Sequence, residues 1–412
     1  MIFLLSSQNV FEYLIKQELC VQKKQALSQV EIKVAKNFNL LLSLSDGHKF
    51  LIKQERRNQE GKSAGEFLNE WQIQKLLQRF PKLSHICSML SEALHFDAEH
   101  SIIVFNYLDD YCDLAEFYTR ENVFSAAIAT SIGTTLSTIH RSTFNHQEYQ
   151  EFLFESAKVP IKQTPNLSFG LERISPEVFS RIPADGLKFL ALYQRYDSLG
   201  KAIAELTTAF DPCCLTHNDL KLNNILLHND WQQAIVNAET SNNSVIRLID
   251  WERGTWGDPA FDLGTLVASY LQMWLGSLVV SQSIDIAESL RLAMTPLEQI
   301  QPSIAALTQA YFDNFPEILE HRPDFLRRVV QFSGLALIQQ IQAMIQYQKS
   351  FGNTGICMLQ VAKSLLCRPE QSISTVFGMA EGRLLANYRF PQNVSLEPHE
   401  QNQHTQFSHI SS

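Results

Sequence analysis

The chain predicts an α+β fold in two unequal lobes, a small antiparallel sheet followed by a large, mainly helical part. Three observations lead there. Short runs of β-branched, leucine and aromatic residues separated by turn signals fill residues 29–107, whereas apolar stripes of helical period dominate after Leu108. Two clusters of polar residues, around 217–224 and 250–252, are flanked by short apolar runs, as loops at strand ends are. Finally, 412 residues at 45% hydrophobic and 19% charged are too many for one small core and apolar enough to bury a large one.

Taken in order, Ser7 is placed to cap a helix over 8–19, with Val10, Phe11, Leu14, Ile15 and Leu19 on one face. Val30, Ile32 and Val34, then Leu40-Leu41-Leu42, then Phe50-Leu51-Ile52 read as three antiparallel strands, with Asp46-Gly47 turning the second into the third and Lys53 closing it. Residues 54–65 are polar and loop-like. Ser63-Ala64-Gly65-Glu66 is a capping-box pattern for a helix to about Gln78. Apolar runs at His85–Leu90 and Ser101–Tyr107 complete an expected five-stranded sheet, giving an N-terminal lobe of residues 1–105. A C-terminal lobe then spans 106–385, with helices near 123–139, 186–209, 259–280, 303–314, 324–348 and 354–367. Residues 386–412, rich in Gln, His and Ser, read as a disordered tail.

The net charge of −9 argues against a nucleic-acid partner, whose phosphates call for a basic face. Seven cysteines, an odd count with no Cys-x-x-Cys pair, suit free thiols in a reducing cytoplasm. Met1-Ile2-Phe3-Leu4-Leu5 lacks the basic start of a secretory signal. No charge falls between Leu263 and Val280, a length at the threshold for crossing a bilayer. Ser269, Gln272 and Ser277 interrupt that run, so it reads as the buried centre of a helical lobe, with no membrane partner. Oligomeric state is left open.

The chemistry concentrates in Leu215-Thr216-His217-Asn218-Asp219-Leu220-Lys221-Leu222-Asn223-Asn224-Ile225-Leu226-Leu227 and in Ile246-Arg247-Leu248-Ile249-Asp250-Trp251-Glu252. Phosphoryl transfer from a nucleotide needs a carboxylate to take or orient a hydroxyl proton and oxygen ligands to hold magnesium on the phosphates. Asp219 suits the first task, and Asn224 and Asp250 the second.

These motifs, with Gly257-Asp258-Pro259-Ala260-Phe261-Asp262-Leu263-Gly264, resemble the aminoglycoside phosphotransferase and choline kinase superfamily, which shares the protein-kinase fold. The resemblance runs from about residue 8 to about 380. It implies Asp219 as catalytic base, Asn224 and Asp250 as metal ligands, and Lys53 on the nucleotide phosphates with a helix glutamate as its partner. Glu70 suits that partner better than Glu66, which the capping box already explains. Phe105-Asn106-Tyr107-Leu108 becomes the hinge (105–108) beside adenine, mainly through backbone groups, with Phe105 and Tyr107 as nucleotide contacts. His217 and Asp262 become braces of the catalytic loop. Lys221 is either a phosphate contact or a solvated loop lysine, while His140 reads as a core histidine. Trp251 and Trp256 read as core, with an aromatic box for a cation as the alternative. Two departures stand out. No glycine covers the phosphates in Val34-Ala35-Lys36-Asn37-Phe38-Asn39, leaving that task to the amides of Asn37 and Phe38. Asp250 follows Asp219 by 31 residues, so Asn229–Val245 is expected to project as an extended loop.

The implied activity is ATP- and magnesium-dependent phosphorylation of a hydroxyl on a small molecule. Two alternatives remain: a kinase of serine or threonine in a precursor peptide that works with a partner lyase, and a pseudokinase binding module. The stretch Ser281–Pro302 is expected to wall the acceptor site, with Asp285, Glu288 and Glu298 suiting a cationic acceptor.

Overall fold

The computed structural model describes residues 3–21, 28–33, 35–58, 61, 63–156, 167–168, 170–171, 182–237, 244–279, 281 and 283–387. Five antiparallel strands, Gln29–Lys33 (β1), Phe38–Ser43 (β2), Lys49–Gln54 (β3), Ala93–Asp97 (β4) and Ile102–Asn106 (β5), form one sheet in the order β1-β2-β3-β5-β4. Side chains alternate across a strand, and here both faces are covered. Leu40, Leu42, Phe50, Ile52, Ile102 and Val104 pack with Val10 and Leu14 of the helix Val10–Lys16 (α1). Ala93, Ile103 and Phe105 pack with Phe67 of the helix Glu66–Arg79 (α2). Lys53 pairs in register with Asn39 and Ile103, which puts it on the α2 face.

The α+β expectation therefore holds, with local corrections. Ser7 does not cap α1; the Ser6 hydroxyl accepts from the Asn9 amide and the Asn9 side chain accepts from Ser6. The fourth strand is not His85–Leu90, which lies in and just beyond the 3₁₀ segment Pro81–Met89, because Leu83, Ile86 and Leu90 recur at helical spacing and bury together. Nor does Ser63 open α2. Gly65, at φ +81°, precedes the helix, and the buried carboxylate of Glu55 accepts from the amides of Gly65 (2.9 Å) and Phe67 (2.6 Å). Glu55→Ala is expected to cost about 1–2 kcal/mol, the range for a lost N-terminal cap, and urea unfolding would measure it; an unchanged midpoint would show that the cap carries no stability.

The second part contains a three-stranded sheet of Tyr111–Asp113 (β6), Ile225–His228 (β8) and Ile246–Leu248 (β9), and a pair of Cys214–Thr216 (β7) with Thr255–Gly257 (β10). Helices supply the rest. Leu114–Glu121 (α3) is capped by Asp113. Ala126–Thr143 (α4) crosses Leu297–Asn314 so closely that a Cβ on Gly133 would collide with the carbonyl of Leu307. The apolar run after Asp258 forms the buried helix Pro259–Gly276, packed on Phe325–Gln348. Among the described residues no helix is long and apolar enough to cross a membrane. At its start, the fully buried Asp258 carboxylate binds Arg328 (2.7 Å) and Arg322 (3.3 Å).

The stretch 186–209 is two helices, Ala184–Tyr193 and Asp197–Thr208, because Tyr196 leaves helical geometry. The insertion before β9 does not begin as an extended loop: Trp231–Val236 is helical, and 238–243 lie outside the described residues. The expected tail lies outside them from residue 388, whereas Asn387 is still held by the Asp313 carboxylate.

Candidate functional site

Strand β7 delivers the chain to the loop 217–224, and one buried carboxylate sets its shape. Asp262 accepts hydrogen bonds from the amides of His217 (2.6 Å) and Asn218 (2.8 Å) and receives His140 Nε2 at 3.3 Å. His140 Nδ1 reaches the Tyr311 hydroxyl (2.9 Å), so it is a partnered core histidine. His217 donates through Nε2 to the carbonyl of Ile249 (2.8 Å), while its Nδ1 accepts from the Asp219 amide (3.3 Å), tying the loop to the chain after β9. Asn218 has φ +60°, which asparagine tolerates better than most residues.

The turn brings Asp219, Lys221 and Asn224 together. Lys221 Nζ lies 3.0 Å from Asp219 Oδ2, and Arg253 approaches Oδ1 at 3.7 Å. The Asn224 amide donates to the Asp219 carbonyl (2.8 Å) and lies 3.5 Å from Asp219 Oδ2. Ile249 donates its backbone amide to the Asn224 carbonyl (3.0 Å), which sets Asp250 beside this loop.

Asp250 has φ +68° and faces β3, where Lys53 Nζ meets its Oδ1 at 2.9 Å. The ion pair expected between Lys53 and Glu70 is thus made with Asp250. Glu70 stays within electrostatic reach of Lys53 but uses Oε1 to accept from the Trp251 amide (3.3 Å), and its Oε2 is buried with no partner among the described residues. Burial pushes the Glu70 carboxyl up to about 7; Lys53 opposes this and Asp250 reinforces it. Burial also raises Asp250, but the Lys53 ammonium more than offsets it and holds Asp250 below its ordinary value. For Lys53, burial works against charge, yet Asp250 and Glu70 win and carry it to about 12.

A carboxyl that titrates higher folded than unfolded favours the protonated fold, so its contribution is full below its ordinary value of 4.5 and is lost as pH rises through about 7. Glu70→Gln is therefore expected to flatten the fall of melting temperature between those two pH values, with nucleotide absent. Parallel wild-type and variant profiles would show that Glu70 does not titrate there.

A cleft of ≈ 450 Å³ opens between the sheet and the second part, with Leu51, Lys53, Glu70, Phe105, Tyr107, Leu226, Ile249 and Asp250 among its walls. Phe105 forms its floor, its ring centroid 5.2 Å from Lys53 Nζ. The Tyr107 amide already donates to the carbonyl of Lys49 and is not free for a base. Asn37 is not among the lining residues; its side chain accepts from the Arg56 amide (3.4 Å). The neighbouring Lys36 instead reaches from the β1–β2 turn to Glu66 (2.6 Å) and Glu252 (3.3 Å). Glu66 is therefore an ion-pair partner and takes no part in a capping box.

Sequence reasoning missed Lys36 and Arg253, since neither stands in a motif; a lysine at a turn where glycine was sought was the one signal for Lys36. Trp251 and Trp256 are both buried, Trp251 donating to the Leu248 carbonyl, which removes the aromatic-box alternative. Two carboxylates of the 281–302 stretch are engaged locally: Asp285 caps a short helix and Glu288 pairs with Arg291. None of Asp285, Glu288 and Glu298 lines this cleft.

Residues 107–272 match the choline/ethanolamine kinase family, a segment that contains all three motifs. Among solved structures, a choline/ethanolamine kinase family protein from Mesorhizobium loti is 15% identical, with a TM-score of 0.47 over 90% of this chain and 99% of its own. A choline kinase from Streptococcus pneumoniae is 16% identical, with a TM-score of 0.40 over 87% and 98%. A macrolide 2'-phosphotransferase from Brachybacterium faecium is 13% identical, with a TM-score of 0.42 over 88% and 99%. No curated protein matches the sequence significantly. The resemblance drawn from the motifs is borne out over the segment that holds them.

Proposed function

Starting from a phosphotransferase with an alcohol group as acceptor, we propose that this chain moves the γ-phosphoryl group of ATP, with magnesium, to a hydroxyl of a small molecule. The observation that carries this reading is the convergence of three segments beside one cleft: Lys53 of β3 and Asp250 after β9, which line it 2.9 Å apart, and the loop of Asp219 and Asn224, which the Ile249 amide ties to Asp250. The lobes are taken as 1–105 and 106–385, with the hinge at 105–108 and the adenine between Phe105 and Leu226.

Asp219 accepts the proton of the attacking hydroxyl as its oxygen bonds to the γ-phosphorus and the bond to ADP breaks. Lys221, already on Asp219, holds the carboxylate in place and meets the charge of the transferred group. Lys53 binds the α and β phosphates. An amide oxygen and a carboxylate, Asn224 and Asp250, are the oxygen ligands that would hold magnesium here. Magnesium there would neutralise developing phosphate charge. Free cysteines and ATP dependence together suit a cytoplasmic setting.

The test is a phosphotransfer screen with labelled ATP over hydroxyl metabolites and peptides. Label on a small-molecule hydroxyl is expected. Label confined to peptides would favour the precursor-peptide kinase, and tight ATP binding without transfer would favour a binding module.

A further inference from the structure

A second cavity, of ≈ 380 Å³, shares no lining residue with the nucleotide cleft, and Lys221 belongs to its wall. Lys221 is also the residue 3.0 Å from Asp219 Oδ2, so this cavity lies one side chain away from the group assigned as base. Its size suits a small metabolite. Its polar lining consists of Lys221, the amides of Asn223, Gln272 and Gln340, and the hydroxyls of Thr119 and Ser269. Ser269 and Gln272 stand three residues apart on the helix Pro259–Gly276 and so share a face. Gln340 comes from Phe325–Gln348 and Thr119 from α3.

A cation is held most strongly by a carboxylate or by a cage of aromatic faces. Among the described residues lining this cavity there is neither, and its one charge is positive. Moving an ammonium into such a place forfeits its hydration and sets it against Lys221. The amides of Asn223, Gln272 and Gln340 make no side-chain hydrogen bond to another described residue. Each can both donate and accept, which matches the dual character of hydroxyl groups. We infer that the acceptor, on the reading that the chain is a small-molecule kinase, is an uncharged polyhydroxyl compound of sugar or cyclitol size, and not a quaternary or primary amine.

The experiment separates this inference from the kinase reading by measuring binding and transfer independently. The full chain with magnesium and a non-hydrolysable ATP analogue is titrated with D-glucose, D-ribose, myo-inositol, choline and ethanolamine, observed by ligand NMR. The same compounds are then offered with ATP. At least one polyol is expected to bind, and to be phosphorylated with a kcat/KM about tenfold or more above either amine. Gln272→Ala and Gln340→Ala should each raise its KM about tenfold, the loss of one or two hydrogen bonds, with the ATP dissociation constant unchanged. Gln340→Glu should shift preference toward choline, a gain that misfolding cannot imitate. Polyol binding without transfer would sustain the inference and sink the kinase reading. Choline or ethanolamine turned over as well as the best polyol would do the reverse, and the absence of any polyol binding would sink the inference by itself.

Discussion

Replacing Asp219 with Ala is expected to lower kcat at least about a hundredfold, the lower range for loss of general-base assistance, while ATP affinity changes little. The geometry supplies the reason for that split. Asp219 contacts Lys221, Arg253 and Asn224, whereas Lys53 and Asp250 on the nucleotide side contact each other. Removing the carboxylate therefore strips the acceptor side and leaves the nucleotide side intact. Asp219→Asn sharpens the test, because it keeps an oxygen for Lys221 and loses only the base. Steady-state kinetics beside an ATP titration would decide it, and near-normal turnover in either variant would place the base elsewhere.

Asp250→Asn is expected to lose about a hundred- to a thousandfold in kcat, comparable to removing a preorganised electrostatic contact, but by another route. The amide retains the shape and lacks the charge that opposes magnesium. It also releases Lys53, which has no other ion-pair partner within salt-bridge distance among the described residues and has Glu70 nearby. Two readouts follow. Half-saturating magnesium should rise steeply, while metal-free ATP should bind no worse, since Lys53 is then free for phosphate. Unchanged magnesium dependence would move the ligand, with Glu252 the nearest carboxylate in the chain.

The readable parts of this molecule were those fixed by local pattern. Short apolar runs between turn signals located three strands, with Lys53 at the end of the third, and helical stripes located the long helices. The bracing role of Asp262 came with the family resemblance and the core placement of His140 from its apolar helix, while the bond between the two was not foreseen. Where a contact spans the chain, pattern failed. Ser63 looked like a cap only because the true cap, Glu55, lies ten residues before Gly65 and belongs to no motif. Glu70 was preferred to Glu66 on that mistaken ground; the sound one is that Glu66 is held by Lys36, across a turn no local rule connects to α2. The run at 85–90 misled because leucine and isoleucine serve a 3₁₀ turn as well as a strand. Asp285 and Glu288 looked available to a ligand because sequence does not show which neighbours have already claimed them.

The left-handed backbone at Asn218 and Asp250 also governs how this site tolerates change. Only glycine, asparagine and aspartate adopt that conformation at small cost. Most random replacements at either position will damage the loop and the chemistry at once, so a saturation library would score them as essential without saying why. Exchange among the three permitted residues separates the two effects. For the same reason a lineage could silence this chain at position 250 by a single change and inherit an undamaged scaffold, free to take up another use.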